Sequence, residues 1–134
     1  MDERIDYILT ERSLESSQLF MAMRFEDGLV DICDMWLYVH FLDYFYKTQS
    51  YPVDGIVYID CPVDVAMQRL RSRGRSEEIH VTAELQQKLA DLHERWLSDD
   101  TITVPVLRVQ VPQGQDSMEY EDCLQSILAF IQRL

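Results

Sequence analysis

Four of the twelve basic residues, Arg69, Arg71, Arg73 and Arg75, are crowded into the run Arg69-Leu-Arg-Ser-Arg73-Gly74-Arg75-Ser-Glu77-Glu78. Arg69 and Arg73 are four residues apart, so a helix would put both on one face. Arg75 follows a glycine, where the backbone can hinge. Guanidinium groups match phosphate oxygens in pairs. On a hinged segment they can fold over a polyphosphate and neutralise the charge that develops in phosphoryl transfer. The competing reading is structural: positive charge suits the C-terminal end of a helix, and Glu77 and Glu78 pair with it at the surface.

Glu11-Arg12-Ser13 forms a second cluster. It follows Ile5 to Thr10, which read as a strand, and in open α/β sheets ligands sit outside the C-terminal ends of the strands. A carboxylate there can hold magnesium, and an arginine can hold phosphate. The alternative is an ion pair beside a helix-capping serine. The remaining candidates are weaker. His40, His80 and His93 have no metal-ligand spacing, Met21, Met23, Met35 and Met67 read as core filler, and Glu119, Glu121 and Asp122 as a solvated helix face.

These residues sit in a chain of 134, of which 47% are hydrophobic and 27% charged. That composition fits one globular domain and excludes a disordered or collagen-like chain, as do the 4 glycines and 4 prolines. A net charge of -12 argues against nucleic acid or an anionic membrane as partner. No apolar run is long enough to span a bilayer, and Met1-Asp2-Glu3-Arg4 lacks the apolar stretch of a secretory signal. Cys33, Cys61 and Cys123 form no CxxC pair, which predicts reduced, mostly buried thiols in an intracellular, cytoplasmic setting.

The elements that must position the two clusters follow from capping and periodicity. Ser13 can cap a helix over about 14–27 that stops at Gly28, and a second, aromatic-rich helix runs over about 31–48. The second is apolar on more than one face, so it is either central or an interface. Ile56-Val57-Tyr58-Ile59-Asp60 reads as a doubly buried parallel strand, and Pro62 opens a helix that closes at Gly74. Thr82 caps another helix with Leu85, Leu89, Leu92 and Trp96 on one face. A strand over 105–111, a loop holding Gly114 and a helix over about 117–133 complete the chain. The order β-α-α-β-α-α-β-α predicts an α/β layered fold with a three-strand parallel sheet, narrow enough to be the latter part of a larger domain.

Together, Glu11-Arg12-Ser13, the Gly55-Ile56-Val57-Tyr58 strand, Arg69-Leu70-x-x-Arg73-Gly74-Arg75-x-Glu77-Glu78 and Leu92-His93-Glu94-x-Trp96-Leu97 resemble the deoxynucleoside kinase family. The likeness runs from about Tyr7 to Leu97, and more loosely to the C-terminus. It implies a P-loop kinase-type three-layer sandwich, here missing its N-terminal strands, with residues 1–134 as the C-terminal portion of the kinase domain and a lid over about 69–81. By resemblance Glu11 helps hold magnesium, Arg12 contacts phosphates, and Arg69, Arg73 and Arg75 grip ATP, with Arg12, Arg73 and Arg75 acting in catalysis. Glu78 would reach the deoxyribose 3′-hydroxyl. The loop Pro112–Asp116 would lie near the adenine, and helices 14–27 and 31–48 would form a homodimer contact.

The departures from the family pattern define the expected function. None of Gly28, Gly55, Gly74 or Gly114 begins a Gly-x-x-x-x-Gly-Lys-Ser/Thr loop, and the family's general-base glutamate has no counterpart here. Met21 stands where the family places a base-contacting phenylalanine, Gln18 replaces an arginine, and Ser17 takes the place of an aspartate or alanine. The small Ser17 leaves room for a thymine methyl, so the expected acceptor preference is pyrimidine-leaning or broad. The expectation is a deoxynucleoside 5′-kinase using ATP and Mg2+, present here as a fragment or isoform that is inactive alone. Its location would be cytoplasmic, or mitochondrial if an N-terminal part precedes it. The rival is a decayed kinase that serves as a nucleotide-binding or dimerisation partner.

Overall fold

Ser13 and Ser16 start the first helix by bonding each other's backbone. The Ser16 amide donates to Ser13 Oγ at 3.2 Å and the Ser13 amide to Ser16 Oγ at 3.0 Å, which satisfies donors that a helix start leaves orphaned. The computed structural model describes residues 7–48, 52–100, 102–111 and 117–134. They fall into two compact units, Met1–Tyr51 and Pro52–Leu134.

In the first unit, α1 (Leu14–Glu26) packs on α2 (Ile32–Thr48), whose start is capped by Asp31 accepting from the amides of Cys33 and Asp34 at 2.7 and 2.9 Å. Leu19, Met23 and Leu42 are the apolar side chains buried there, while Trp36, Phe41 and Tyr44 stay mostly exposed. The expectation that α2 is apolar on more than one face holds, and only one stripe of it is covered within the unit. Gln18 Nε2 donates to Tyr46 Oη at 3.2 Å. Burial raises the Tyr46 phenol above its ordinary pKa, and the negative Glu15 adds to the rise.

The expected first strand does not form over its described part. Residues Tyr7–Thr10 are exposed coil, and Ile5 and Asp6 lie outside the described residues. A strand exists through ladder bonds to a neighbour, and alternation of side chains cannot replace them. The sheet among the described residues therefore has two strands, β1 (Ile56–Asp60) and β2 (Val106–Gln110), parallel and in register from Ile56↔Val106 to Asp60↔Gln110.

The second unit packs α3 (Val63–Arg73) on α4 (Ala83–Leu97) and α5 (Ser117–Ile131) on β2. Its buried apolar residues are Met67, Leu92, Val109 and Ile131. Thr82 Oγ1 accepts from the Leu85 amide at 3.2 Å, as its position predicts for a helix cap. The prediction of a doubly buried β1 fails: Ile59 is 56% exposed, because two strands and the helices packed on them cover only part of each face. Gly55 lies close to the end of the chain: a Cβ there would meet Leu134 Cδ1 at 2.8 Å and Phe130 Cε1 at 3.1 Å, and those side-chain ends would have to shift. The cysteines also depart from expectation. All three are free thiols, but Cys33 is exposed and Cys61 and Cys123 only half-buried, because the small core does not reach them. Among the described residues no helix is long and apolar enough to cross a membrane.

A polar contact joins α4 to β2. Arg108 donates from both Nη atoms to the Glu94 carboxylate at 2.7 and 2.6 Å and lies 5.4 Å from the centroid of the Tyr58 ring, which stacks on His93. The bidentate bond holds the Glu94 carboxyl below its ordinary pKa and raises that of Arg108. A carboxyl lowered on folding stabilises the fold above its unfolded pKa and loses that contribution as pH falls through the folded one. We expect Glu94 to titrate below the ordinary carboxyl range and to return to it in Arg108→Gln. A carboxyl-carbon NMR titration reads this, and a midpoint unmoved by Arg108→Gln would refute the coupling.

Candidate functional site

The arginine cluster is built by the end of α3. Gly74 adopts φ 63° and ψ 31°, the left-handed conformation that glycine enters without a Cβ clash, and its amide donates to the Leu70 carbonyl at 3.3 Å. The chain then extends at Arg75 and tightens into the 3-10 turn Ser76–Glu78, where the Glu78 amide donates to the Arg75 carbonyl at 3.1 Å. This reversal returns Glu78 to the last turn of α3. Arg73 Nε donates to Glu78 Oε2 at 3.1 Å and Nη2 to Oε1 at 2.6 Å, a bidentate pair, while Arg75 Nη1 lies 3.8 Å from Oε1. The Glu78 side chain is 20% exposed, against 49% for Arg73 and 61% for Arg75.

The structure thus brings together Arg73, Arg75 and Glu78. Arg69 turns toward α5, its Nη2 donating to Tyr120 Oη at 3.5 Å. Two guanidiniums converge on one carboxylate, so an incoming anion can take over donors that Glu78 now occupies. The surface-pairing alternative holds for Glu78 alone of the two glutamates, since Glu77 forms no ion pair among the described residues.

In the first unit, Arg12 has φ 65°, an unusual conformation for a residue with a Cβ, and its guanidinium carbon lies 4.2 Å from the Phe20 ring centroid. Such strain costs about 1 kcal/mol and persists where the surroundings hold it. Glu11, beside it, is exposed. Ser17 Oγ donates to the Leu14 carbonyl at 2.7 Å and lies 2.7 Å from Tyr38 Oη. Met21 lines an open cavity of about 430 Å³ with Val30, Asp34, Leu37, Tyr38 and Phe41.

Among the described residues no three His, Cys, Asp or Glu side chains cluster as a metal cage. Magnesium does not need one, since it keeps several waters and binds through one or two carboxylates together with substrate phosphates. The exposed carboxylate of Glu11 fits that donor pattern, and the guanidiniums of Arg73 and Arg75 fit a polyphosphate. The loop Pro112–Asp116, expected near an adenine, lies outside the described residues.

Sequence reasoning missed Tyr38, Phe20 and Tyr120, each of which contacts a predicted site residue. Aromatic residues on helices read as core or interface. The signal that would have found Tyr38 is the short connection Asp27–Asp31, which forces α1 and α2 side by side.

A deoxynucleoside kinase family model matches residues 3–132. A probable deoxycytidine kinase of Fowlpox virus is 29% identical over 133 residues, covering 95% of this chain and 57% of the relative. Human deoxycytidine kinase is 27% identical over 135 residues, with 92% and 52% covered. Human mitochondrial thymidine kinase 2 is 27% identical over 114 residues, with 82% and 43% covered. The chain spans about half the length of the curated relatives it matches. Among solved structures, deoxyadenosine kinase from M. mycoides with bound dCTP superposes with a TM-score of 0.68 at 21% identity, covering 92% of this chain and 62% of that one. That likeness supports the α/β P-loop kinase fold.

Proposed function

The chain belongs to the deoxynucleoside kinase family, and from that premise we propose that it forms the lid and part of the acceptor pocket of a kinase that phosphorylates a deoxynucleoside at its 5′-hydroxyl. The observation that carries this reading is the convergence of Arg73 and Arg75 on Glu78, at positions where family resemblance places phosphate-gripping arginines and a sugar-binding glutamate.

In this reading Arg69, Arg73 and Arg75 bind the ATP phosphates, and Arg12, Arg73 and Arg75 hold charge at the transferring group through the transition state. Glu78 leaves the guanidiniums and accepts the 3′-hydroxyl of the acceptor sugar. Ser17 and Met21 border the base. Glu11 would hold magnesium, which when bound offsets phosphate charge. The acceptor class is pyrimidine-leaning or broad, and α1 and α2 form a homodimer contact. A second reading is supported by the exposed aromatic side of α2, which suits a binding role: an inactive homologue that holds nucleotide or a partner copy.

Transfer of labelled γ-phosphate from ATP to each of the four deoxynucleosides tests the proposal, with Arg75→Ala as control. These 134 residues contain no phosphate-cradling Gly-Lys loop, so we expect no turnover above that control and weaker ATP binding in the variant. Turnover that Arg75→Ala abolishes would show that other residues replace the loop and the base. ATP affinity unchanged by Arg75→Ala would remove the lid from the reading.

A further inference from the structure

We propose that Tyr120 is a phosphorylation site for a protein tyrosine kinase, and that a phosphate placed there captures Arg69 and loosens the lid's grip on ATP. The effect on ATP rests on the reading of Arg69 as a phosphate-binding lid arginine; the site itself does not.

Tyr120 stands in the run Met118-Glu119-Tyr120-Glu121-Asp122, which the proposed reaction does not use. Glu119, Glu121 and Asp122 are exposed, as is Tyr120 at 44%. Tyr120 is the fourth residue of α5, and helix ends open at less cost than helix interiors. A phenol among carboxylates near a helix end is one that an enzyme with a basic substrate cleft can attract and reach. In the transfer the phenolic oxygen attacks the γ-phosphorus of ATP held by that enzyme. The bond from phosphorus to the ADP oxygen breaks, and the phenolic proton passes to the enzyme's base.

The consequence follows from what Tyr120 touches. Arg69 Nη2 donates to Tyr120 Oη at 3.5 Å, so a lid guanidinium already faces the atom that would carry the phosphate. A neutral phenol at that distance holds Arg69 only loosely against the pull of a polyphosphate. A phosphate ester changes both charge and geometry. It carries a charge of about -1.5 to -2 at pH 7 and three acceptor oxygens, which suit a bidentate pair with arginine. Glu119, Glu121 and Asp122 repel that charge and favour its turning to Arg69 on α3. Arg69 would then be held by an anion of its own chain, as Arg73 is by Glu78.

The 134-residue chain is treated with ATP, magnesium and a protein tyrosine kinase that prefers acidic substrates, and the product is mapped by peptide mass spectrometry. We expect phosphate on Tyr120 and none at that position in Tyr120→Phe. ATP should bind the phosphorylated chain about tenfold more weakly than the unmodified one, and phosphorylation should cost no further affinity in Arg69→Ala. Phosphorus-31 titration reads the pair without ATP. The phosphotyrosine midpoint should lie below its ordinary value of about 6 and return to it in Arg69→Ala. Arg69 is exposed, so that substitution spares the core. Phosphate on Tyr44, which is 61% exposed, and not on Tyr120 overturns the inference while the lid reading stands. So does a midpoint indifferent to Arg69→Ala, or an equal loss of ATP affinity on phosphorylating Arg69→Ala. If the unmodified chain binds no ATP, the lid reading falls, and the phosphorus midpoint upholds or overturns the capture of Arg69 on its own.

Discussion

Arg73→Ala is expected to weaken ATP binding to this chain by about tenfold or more, and Glu78→Gln to strengthen it several-fold when no nucleoside is present. Both follow from the same pair. Arg73 holds Glu78 through two bonds, at 3.1 and 2.6 Å, so phosphate must displace a carboxylate to reach those donors. A hydrogen bond between charged partners contributes about 1.5–3 kcal/mol, and each 1.4 kcal/mol is a factor of about ten in affinity. Arg73 is 49% exposed, so water and salt screen the pair and the lower end of that range applies. Glu78→Gln removes the competing charge and leaves the two guanidiniums to phosphate. The same change should weaken nucleoside binding if Glu78 holds the sugar, so the two ligands would respond in opposite directions. Arg71→Ala is the control: it removes the same charge from the same helix at a residue outside the Glu78 pair. Titration with ATP and magnesium at two salt concentrations gives the comparison. Equal losses in Arg71→Ala and Arg73→Ala would mean that only net charge matters, and weaker ATP binding in Glu78→Gln would eliminate competition at Arg73.

How far the site could be read from the sequence depended on whether a feature is local. The caps at Ser13 and Thr82 and the helix stop at Gly74 each arise from residues within one turn of one another, and all are present. Arg73, Gly74, Arg75 and Glu78 lie close enough in the chain for spacing alone to bring them together. The strand predicted over Ile5 to Thr10 and the double burial of β1 are different, because each depends on what lies alongside, which alternation does not encode. Ile59 shows this: its type suits a covered strand, but nothing among the described residues covers it fully. The Ser17–Tyr38 contact spans 21 residues and joins two helices, so neither helix pattern reveals it. It also changes the chemistry of Ser17, whose small size suggested space and whose hydroxyl proves to be occupied twice. Residue type in the lid was informative because arginine acts by charge. At Ser17 the hydrogen-bond partners matter, and they lie on another helix.

Leu92→Ala is expected to destabilise the second unit by about 3 kcal/mol, and to take the lid's phosphate affinity with it. Leu92 is 6% exposed on α4, and Met67, also 6% exposed, is the buried residue of α3, which packs against α4. Truncating a buried leucine loses the transfer free energy of its side chain and leaves a cavity that neighbours fill only partly. With Met67, Leu92, Val109 and Ile131 as the buried apolar residues of this unit, few neighbours can compensate, and the loss is a large part of a total stability of about 5–15 kcal/mol. Urea unfolding followed by Trp96 fluorescence measures it, in a Trp36→Phe background so that the signal comes from α4. Leu124→Ala, at a leucine 54% exposed, should stay within about 0.5 kcal/mol. The functional consequence follows from position. Arg69 and Arg73 are carried by α3, and α3 packs on α4, whose buried residue is Leu92. Loss of ATP affinity in Leu92→Ala should therefore track the fraction unfolded and recover as temperature is lowered toward the variant's stability maximum. An Arg73→Ala loss, which removes the contact itself, should persist in fully folded protein. If the Leu92→Ala loss also persisted in fully folded protein, α4 would act on the lid directly and not through the packing of α3.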